Sequence, residues 1–230
     1  MNEKKDNQQQ EIPEVFVVKD CALIAIATGR RALTLRELHD LLLTVTPDSI
    51  YYHFWGNLLQ PRFEEREYNN DFAAWAWYSL HEAVLAERLA VIDPTESKDL
   101  EELRQLLLEI IEERLDEREA LAWISSGDSF EFIRSQIVVF DTGKRANTPE
   151  ELAAILPDIS PSSIFYHFID SRRRLTHHRD DFSFWLSSFK ESYQELYDKL
   201  TAIDPYFDSL AHLKARLVNL FETYCSKEAQ

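Results

Sequence analysis

Apolar residues recur at helical spacing along most of this chain. Thr34-Leu-Arg-Glu37 reads as a capping box, in which the Thr hydroxyl and the Glu carboxylate each accept from a free amide of the first turn. Leu35, Leu38, Leu41 and Leu42 mark one face of the helix it opens. After a turn at Thr44 to Thr46, Pro47 takes the first position of a second helix, where its missing N–H costs little. That helix carries Ser49-Ile-Tyr-Tyr-His-Phe54. From Trp55 to Asn70 the pattern is irregular and broken by Pro61. Asn70 or Asp71 then caps a long helix through Phe72, Trp75, Leu80, Leu89 and Ile92, which Asp93-Pro94 ends. Another helix begins at Ser97, with Leu100, Leu103, Leu107, Ile110 and Ile111 as its stripe. Upstream, Val15 to Ala27 opens with apolar residues; Asp20 reads as the N-cap of a helix through Ala27 that Gly29 ends in the left-handed conformation, and a strand is a live alternative for Val15 to Val18.

The pattern is written twice. Phe16 to Phe54 aligns without a gap with Phe130 to Phe168, and 15 of those 39 positions are identical. Thr28-Gly-Arg-Arg-Ala32 returns as Thr142-Gly-Lys-Arg-Ala146, and the capping box returns as Thr148-Pro-Glu-Glu151. Ser49 to Phe54 returns as Ser163-Ile-Phe-Tyr-His-Phe168. Asp71-Phe72 and Trp75 return as Asp181-Phe182 and Trp185, and Ile92-Asp-Pro94 as Ile203-Asp-Pro205. Leu, Ala, Glu and Arg dominate the composition, all good helix formers, and there are 4 Gly in the chain. These features predict an all-α protein of two tandem helical repeats, each about 100 residues, packed with pseudo-twofold symmetry. The expected division is a disordered tail over 1–14, repeat one over 15–118, a linker over 119–128 and repeat two over 129–230.

Charge and cysteine content narrow the function. The formal net charge is −16, which argues against a duplex-binding surface except as a local patch. Two Cys, Cys21 and Cys225, with no CxxC pair, make no disulfide framework. The polar N-terminus has no apolar signal core, and no apolar run reaches the ~20 residues of a membrane span. The expectation is a cytoplasmic protein with no membrane partner.

The polar positions shared by both copies are the candidate contacts: Arg30, Arg31, Ser49, Tyr52 and His53, with Lys144, Arg145, Ser163, Tyr166 and His167. Ser49 and His53 are four apart and share a helical face, while Ile50 and Phe54 turn inward. On a structural reading, His53 and Tyr52 hydrogen-bond to Asp71 or a loop carbonyl and lock helices together. On a functional reading, Arg31, Tyr52 and His53 meet a polar or anionic ligand, once per copy. Asp71 itself reads as a helix cap.

Two resemblances follow from these residues. Thr148 to Phe168, followed by Arg172-Arg-Arg174, resembles the helix-turn-helix of tetracycline-repressor-type regulators, which implies a short reading helix in the major groove. In that family a phosphate-contacting Tyr falls on Tyr51 in the first copy and on Phe165 in the second. Over nearly the whole chain, the run Ala27-Thr-Gly-Arg-Arg-Ala32, Ser49 to Gly56, Asn70-Asp-Phe-Ala73 and Leu85-Ala-Glu-Arg-Leu-Ala90 with Ile92-Asp-Pro94 resembles an uncharacterised bacterial family. That family is a domain of unknown function, so it implies no activity.

Enzyme signatures are sparse. The histidines show no HExxH spacing, and there is no Gly-rich phosphate loop and no GxSxG elbow. His177-His178 with Asp180 and Asp181 is the one grouping a metal-assisted hydrolase would use. No catalytic residue, metal ligand or cofactor is assigned. The sequence points to a non-enzymatic binding or scaffolding protein for a small polar ligand or a protein partner, with a helix-turn-helix regulator and a metal-assisted hydrolase as alternatives.

Overall fold

A computed structural model of the chain describes residues 14–59, 67–175, 178–206 and 209–228. Almost all of the expected tail, and Pro61 and His177, lie outside them. The apolar segments at the start of each copy are strands, not helices. β1 (Phe16–Ala32) and β2 (Phe130–Ala146) form a two-stranded antiparallel sheet. The chain is therefore mixed α/β, and the expectation of an all-α protein made of two tandem helical repeats is overturned.

The residues explain the correction. Phe16 and Val18 are buried, as are Phe130 and Phe132, while Val17 and Glu131 between them are not; that period of two belongs to a strand. The β-branched Val17, Val18, Ile24, Ile26, Ile133, Ile137, Val138 and Val139 suit a pleated surface. Gly29 ends no helix: it lies inside β1 at φ +73°, and Gly143 lies inside β2 at φ +78°. A left-handed glycine within a strand is the backbone of a glycine bulge. At each kink a threonine crosses to the facing strand, Thr28 Oγ1 donating to the Phe132 carbonyl and Thr142 Oγ1 to that of Val18, both at 2.6 Å.

Between the strands run α1 (Leu35–Leu42), α2 (Pro47–Trp55), α3 (Asp71–Tyr78), α4 (Ala83–Ala90) and α5 (Leu100–Glu117). After β2 come α6 (Pro149–Ile155), α7 (Pro161–Ile164), α8 (Ser171–Arg174), α9 (Asp181–Leu186), α10 (Gln194–Thr201) and α11 (Leu210–Glu228). A run of wider π-type turns, Phe165–Asp170, joins α7 to α8. Both capping boxes form. Thr34 Oγ1 accepts from the Glu37 amide at 3.1 Å and Thr148 Oγ1 from that of Glu151 at 3.3 Å, while the two carboxylates accept from the Leu33 and Asn147 amides.

The expected long helix from Phe72 to Ile92 is two helices. The break at Ser79–Glu82 carries His81 at φ 56° and turns Glu82 inward, where Arg114 and Arg118 donate to its buried carboxylate at 2.7 and 3.0 Å.

The chain divides into two compact units. The first comprises Cys21–Val139 and Tyr206–Ser209, around a core of Leu35, Leu38, Leu42, Ile50, Phe54, Phe72, Leu107 and Ile111. The second takes the residues up to Asp20 with Phe140–Pro205 and those from Leu210 onward, around Leu152, Leu156, Ile164, Phe168, Phe182, Trp185, Leu217 and Phe221. Each unit thus includes the start of a strand from the other half of the sequence: Phe130–Val139 in the first, Phe16–Asp20 in the second.

Candidate functional site

In the first unit, Ser49 and His53 leave one face of α2 and converge on a single residue of β2. Ser49 Oγ donates to the Ile133 carbonyl at 2.8 Å, and the Ile133 N–H donates to His53 Nε2 at 3.1 Å. On the far side of the ring, His53 Nδ1 meets Asp71 Oδ2 at 2.9 Å. In the second unit, Ser163 Oγ donates to the Lys19 carbonyl at 2.7 Å, the Lys19 N–H donates to His167 Nε2 at 2.8 Å, and His167 Nδ1 meets Asp181 Oδ2 at 2.7 Å. A serine and a histidine one helical turn apart thus supply the donor and the acceptor, respectively, that a neighbouring strand would supply. At Ile133 and Lys19 strand main chain is satisfied by side chains, and those two amides are not left bare.

These bonds fix the imidazole tautomers. Nε2 accepts from a backbone N–H, so it carries no proton, and the proton sits on Nδ1 and is donated to the aspartate. An aspartate on Nδ1 is also how a hydrolytic triad orients its histidine. There, however, Nε2 faces the serine and takes its proton. Here Nε2 is occupied by main chain and the serine donates elsewhere, so Ser, His and Asp are present without nucleophilic geometry. All four Ser and His side chains are at most 3% exposed, which closes them to a substrate.

Aromatic rings seal each clamp. Phe130 stacks on Phe72 at 5.0 Å and lies 4.6 Å from His53; Phe16 stacks on Phe182 at 5.1 Å and lies 4.9 Å from His167. Tyr52 meets His53 edge-on at 5.3 Å, and its ring lies so close to Gly56 that a Cβ there would fall 2.6 Å away. Tyr166 meets His167 in the same way and carries the Arg174 guanidinium 4.1 Å above its ring. Each aspartate has a second donor, Asn57 Nδ2 for Asp71 and Arg174 for Asp181 at 3.0 Å.

Asp71 is not a cap. Asn70 caps α3, accepting from the Ala73 amide, and Asp180 caps α9, accepting from that of Ser183. Asp180 is buried, and loss of water pushes its carboxyl up from the ordinary range.

The basic candidates stand apart from the clamps. Arg30 donates to Thr44 Oγ1 at 2.7 Å, and Arg31 is exposed. Lys144 donates to the Asp158 carbonyl at 3.1 Å. Arg145 pairs with Asp141 at 2.5 Å across the Gly143 kink, and its guanidinium, with the Gly143 amide, holds the Asp141 carboxyl down at about 2. Among the described residues no hydrogen bond joins these cations to Ser49, His53, Ser163 or His167.

The helix-turn-helix stretch turns inward. Ser163 to His167 are buried, and the neighbouring arginines are engaged: Arg172 with the Phe168 carbonyl and ring, Arg173 and Arg174 with the buried Asp170. A reading helix needs those positions facing a groove. Among the described residues no group of three or more His, Cys, Asp or Glu is placed to hold a metal ion.

Sequence reasoning found Ser49, His53, Ser163 and His167, and its structural reading named Asp71 as a partner of His53, as observed; it missed the main-chain partners. Ile133 and Lys19 act through main chain, which leaves no residue signature. Asp71 and Asp181 did leave one, recurring with the Phe and Trp beside them.

The chain is thus a mixed α/β protein in which Ser and His side chains of its helices hold strand main chain and an Asp holds each His. The chain belongs to the family described as Family of unknown function (DUF5752), which matches residues 13–222. It is similar to the solved structure of OrfY from Thermoproteus tenax, with a TM-score of 0.78 and 28% identity over 91% of this chain and 94% of that one. No curated protein matches the chain.

Proposed function

We propose that the protein is a non-enzymatic scaffolding protein that binds protein partners through its β-ribbon. The observation that carries this reading is the exposed apolar stretch of the first unit's ribbon. Ile24, Val138 and Val139 are 41–47% exposed, and neither Cys21–Ala27 nor Gln136–Val139 contains a charged residue. A strand with an uncharged, solvent-facing surface is what natural proteins avoid unless something covers it. A two-stranded sheet also has one outer edge on each strand, closed by the clamps at Ile133 and Lys19; an outer edge beyond such a clamp is the element that strand addition uses. The small-ligand reading draws less support, since Ser49 and His53 are spent on Ile133. Among the described residues no helix is long and apolar enough to cross a membrane.

The test is site-specific photocrosslinking in cells from position 138, with exposed Lys98 as the control position. The expected result is a discrete crosslinked species from position 138, absent from position 98 and lost in Ile24→Glu. Equal crosslinking from both positions, or none from position 138, contradicts the proposal.

A further inference from the structure

Trp123 is the most exposed large apolar side chain among the described residues, at 81%. It follows a short 3-10 turn, Glu119–Ala122, whose Leu121 and Ala122 are buried and anchor the segment. The segment is pinned on both sides. The Trp123 amide donates to the Ala120 carbonyl at 3.1 Å, and the Ser126 amide and hydroxyl both donate to the Leu33 carbonyl, at 2.7 and 2.9 Å. The Gly127 amide donates to the Ser79 carbonyl at 2.8 Å. Ile124 and Leu33 are themselves 37% and 40% exposed. A large ring held outward by a fixed backbone forgoes the burial of roughly 150–250 Å2 of aromatic surface. Nothing in the first unit's core requires that, whereas tryptophan at the centre of a contact carries much of its binding energy.

The charge beside it selects the partner. Glu109, Glu112, Glu113, Asp116, Glu117 and Glu119 lead into Trp123, against Arg114 and Arg118. Both guanidiniums are committed, Arg114 to Glu82 and Glu117, and Arg118 to Glu82. Glu113, Asp116 and Glu119 are exposed, and Glu119 sits one turn before the tryptophan. We propose that Trp123, with Leu33 and Ile124, is the anchor of a second docking surface, and that its occupant is a Lys- or Arg-bearing amphipathic helix of a partner protein. The apolar face of that helix covers the ring, and its cations meet the carboxylates. Complementary charge sets the orientation and excludes acidic partners, a second copy of this −16 chain among them.

The probes are two labelled synthetic helices of equal length, one of Leu and Lys and the other of Leu and Glu, titrated against the full chain by fluorescence anisotropy. The Leu/Lys helix is expected to bind, more weakly as salt rises. Trp123→Ala should weaken it about tenfold, and Trp123→Phe should keep most of the affinity. Val91→Ala, at another exposed apolar residue, should change nothing. Val138→Glu should leave this binding intact, so the ribbon reading and this one fail separately. Equal affinity for the Leu/Glu helix, undiminished binding to Trp123→Ala, or no binding by either helix overturns the proposal. Melting curves of the Trp123 variants should match the parent, because the side chain is exposed.

Discussion

His53 shows how one side chain serves two masters. Its Nδ1 is held by Asp71 and its Nε2 holds the Ile133 amide, so removal leaves that part-buried amide without its acceptor and Asp71 without one of its donors. His53→Ala should cost about 3 kcal/mol in urea unfolding, and Ser49→Ala about 1–2 kcal/mol. Asp180 makes a prediction of the opposite sign. Its folded carboxyl is raised by burial, so the unfolded chain releases that proton first as pH rises. The group therefore lowers stability from the ordinary carboxylate range upward and costs nothing at more acidic pH. Asp180→Asn keeps the cap, as Asn70 does in α3, without the buried charge. It should melt above the parent at neutral pH, with the gap closing as pH falls; a variant that melts lower throughout would refute this. At this scale the sequence was readable as far as side chains pair with side chains. The spacing of Ser49 and His53 marked a polar face, but a backbone partner has no letter.

At the scale of elements, capping boxes and proline positions announced α1, α2 and α6 because their chemistry is local. Apart from the strand alternative at Val15 to Val18, the strands were hidden because their cause is not local. Asp20 to Ala27 carries good helix formers, and what extends it is pairing with β2 and a clamp at Lys19. The break at Ser79–Glu82 was equally hidden, since it depends on Arg114 and Arg118 thirty-odd residues away. Three substitutions test the strand account. Gly29→Ala should cost about 1–2 kcal/mol, because φ +73° is strained for any residue with a Cβ. Ile133→Pro should cost about 3 kcal/mol or more by deleting the N–H that His53 accepts, whereas Ile133→Val should cost about 1 kcal/mol. Chevron or equilibrium denaturation distinguishes them; equal losses for Pro and Val would remove the main-chain clamp from the account.

For the whole molecule, the residues that looked most chemical turn out to be occupied internally, while apolar groups on the ribbon and at Trp123 face water. That inversion is why binding to other proteins is the function proposed. It rests on the imidazoles being spent. The direct measurement is 15N NMR of the histidine side chains in the intact protein at neutral pH. The structure requires His53 and His167 to be Nδ1–H tautomers with bare Nε2 atoms, and each Nε2 to show scalar coupling across a hydrogen bond to the backbone amide of Ile133 or Lys19. Nε2–H tautomers, or rings with no coupling to those amides, would contradict it and return both histidines to the list of groups free for a ligand.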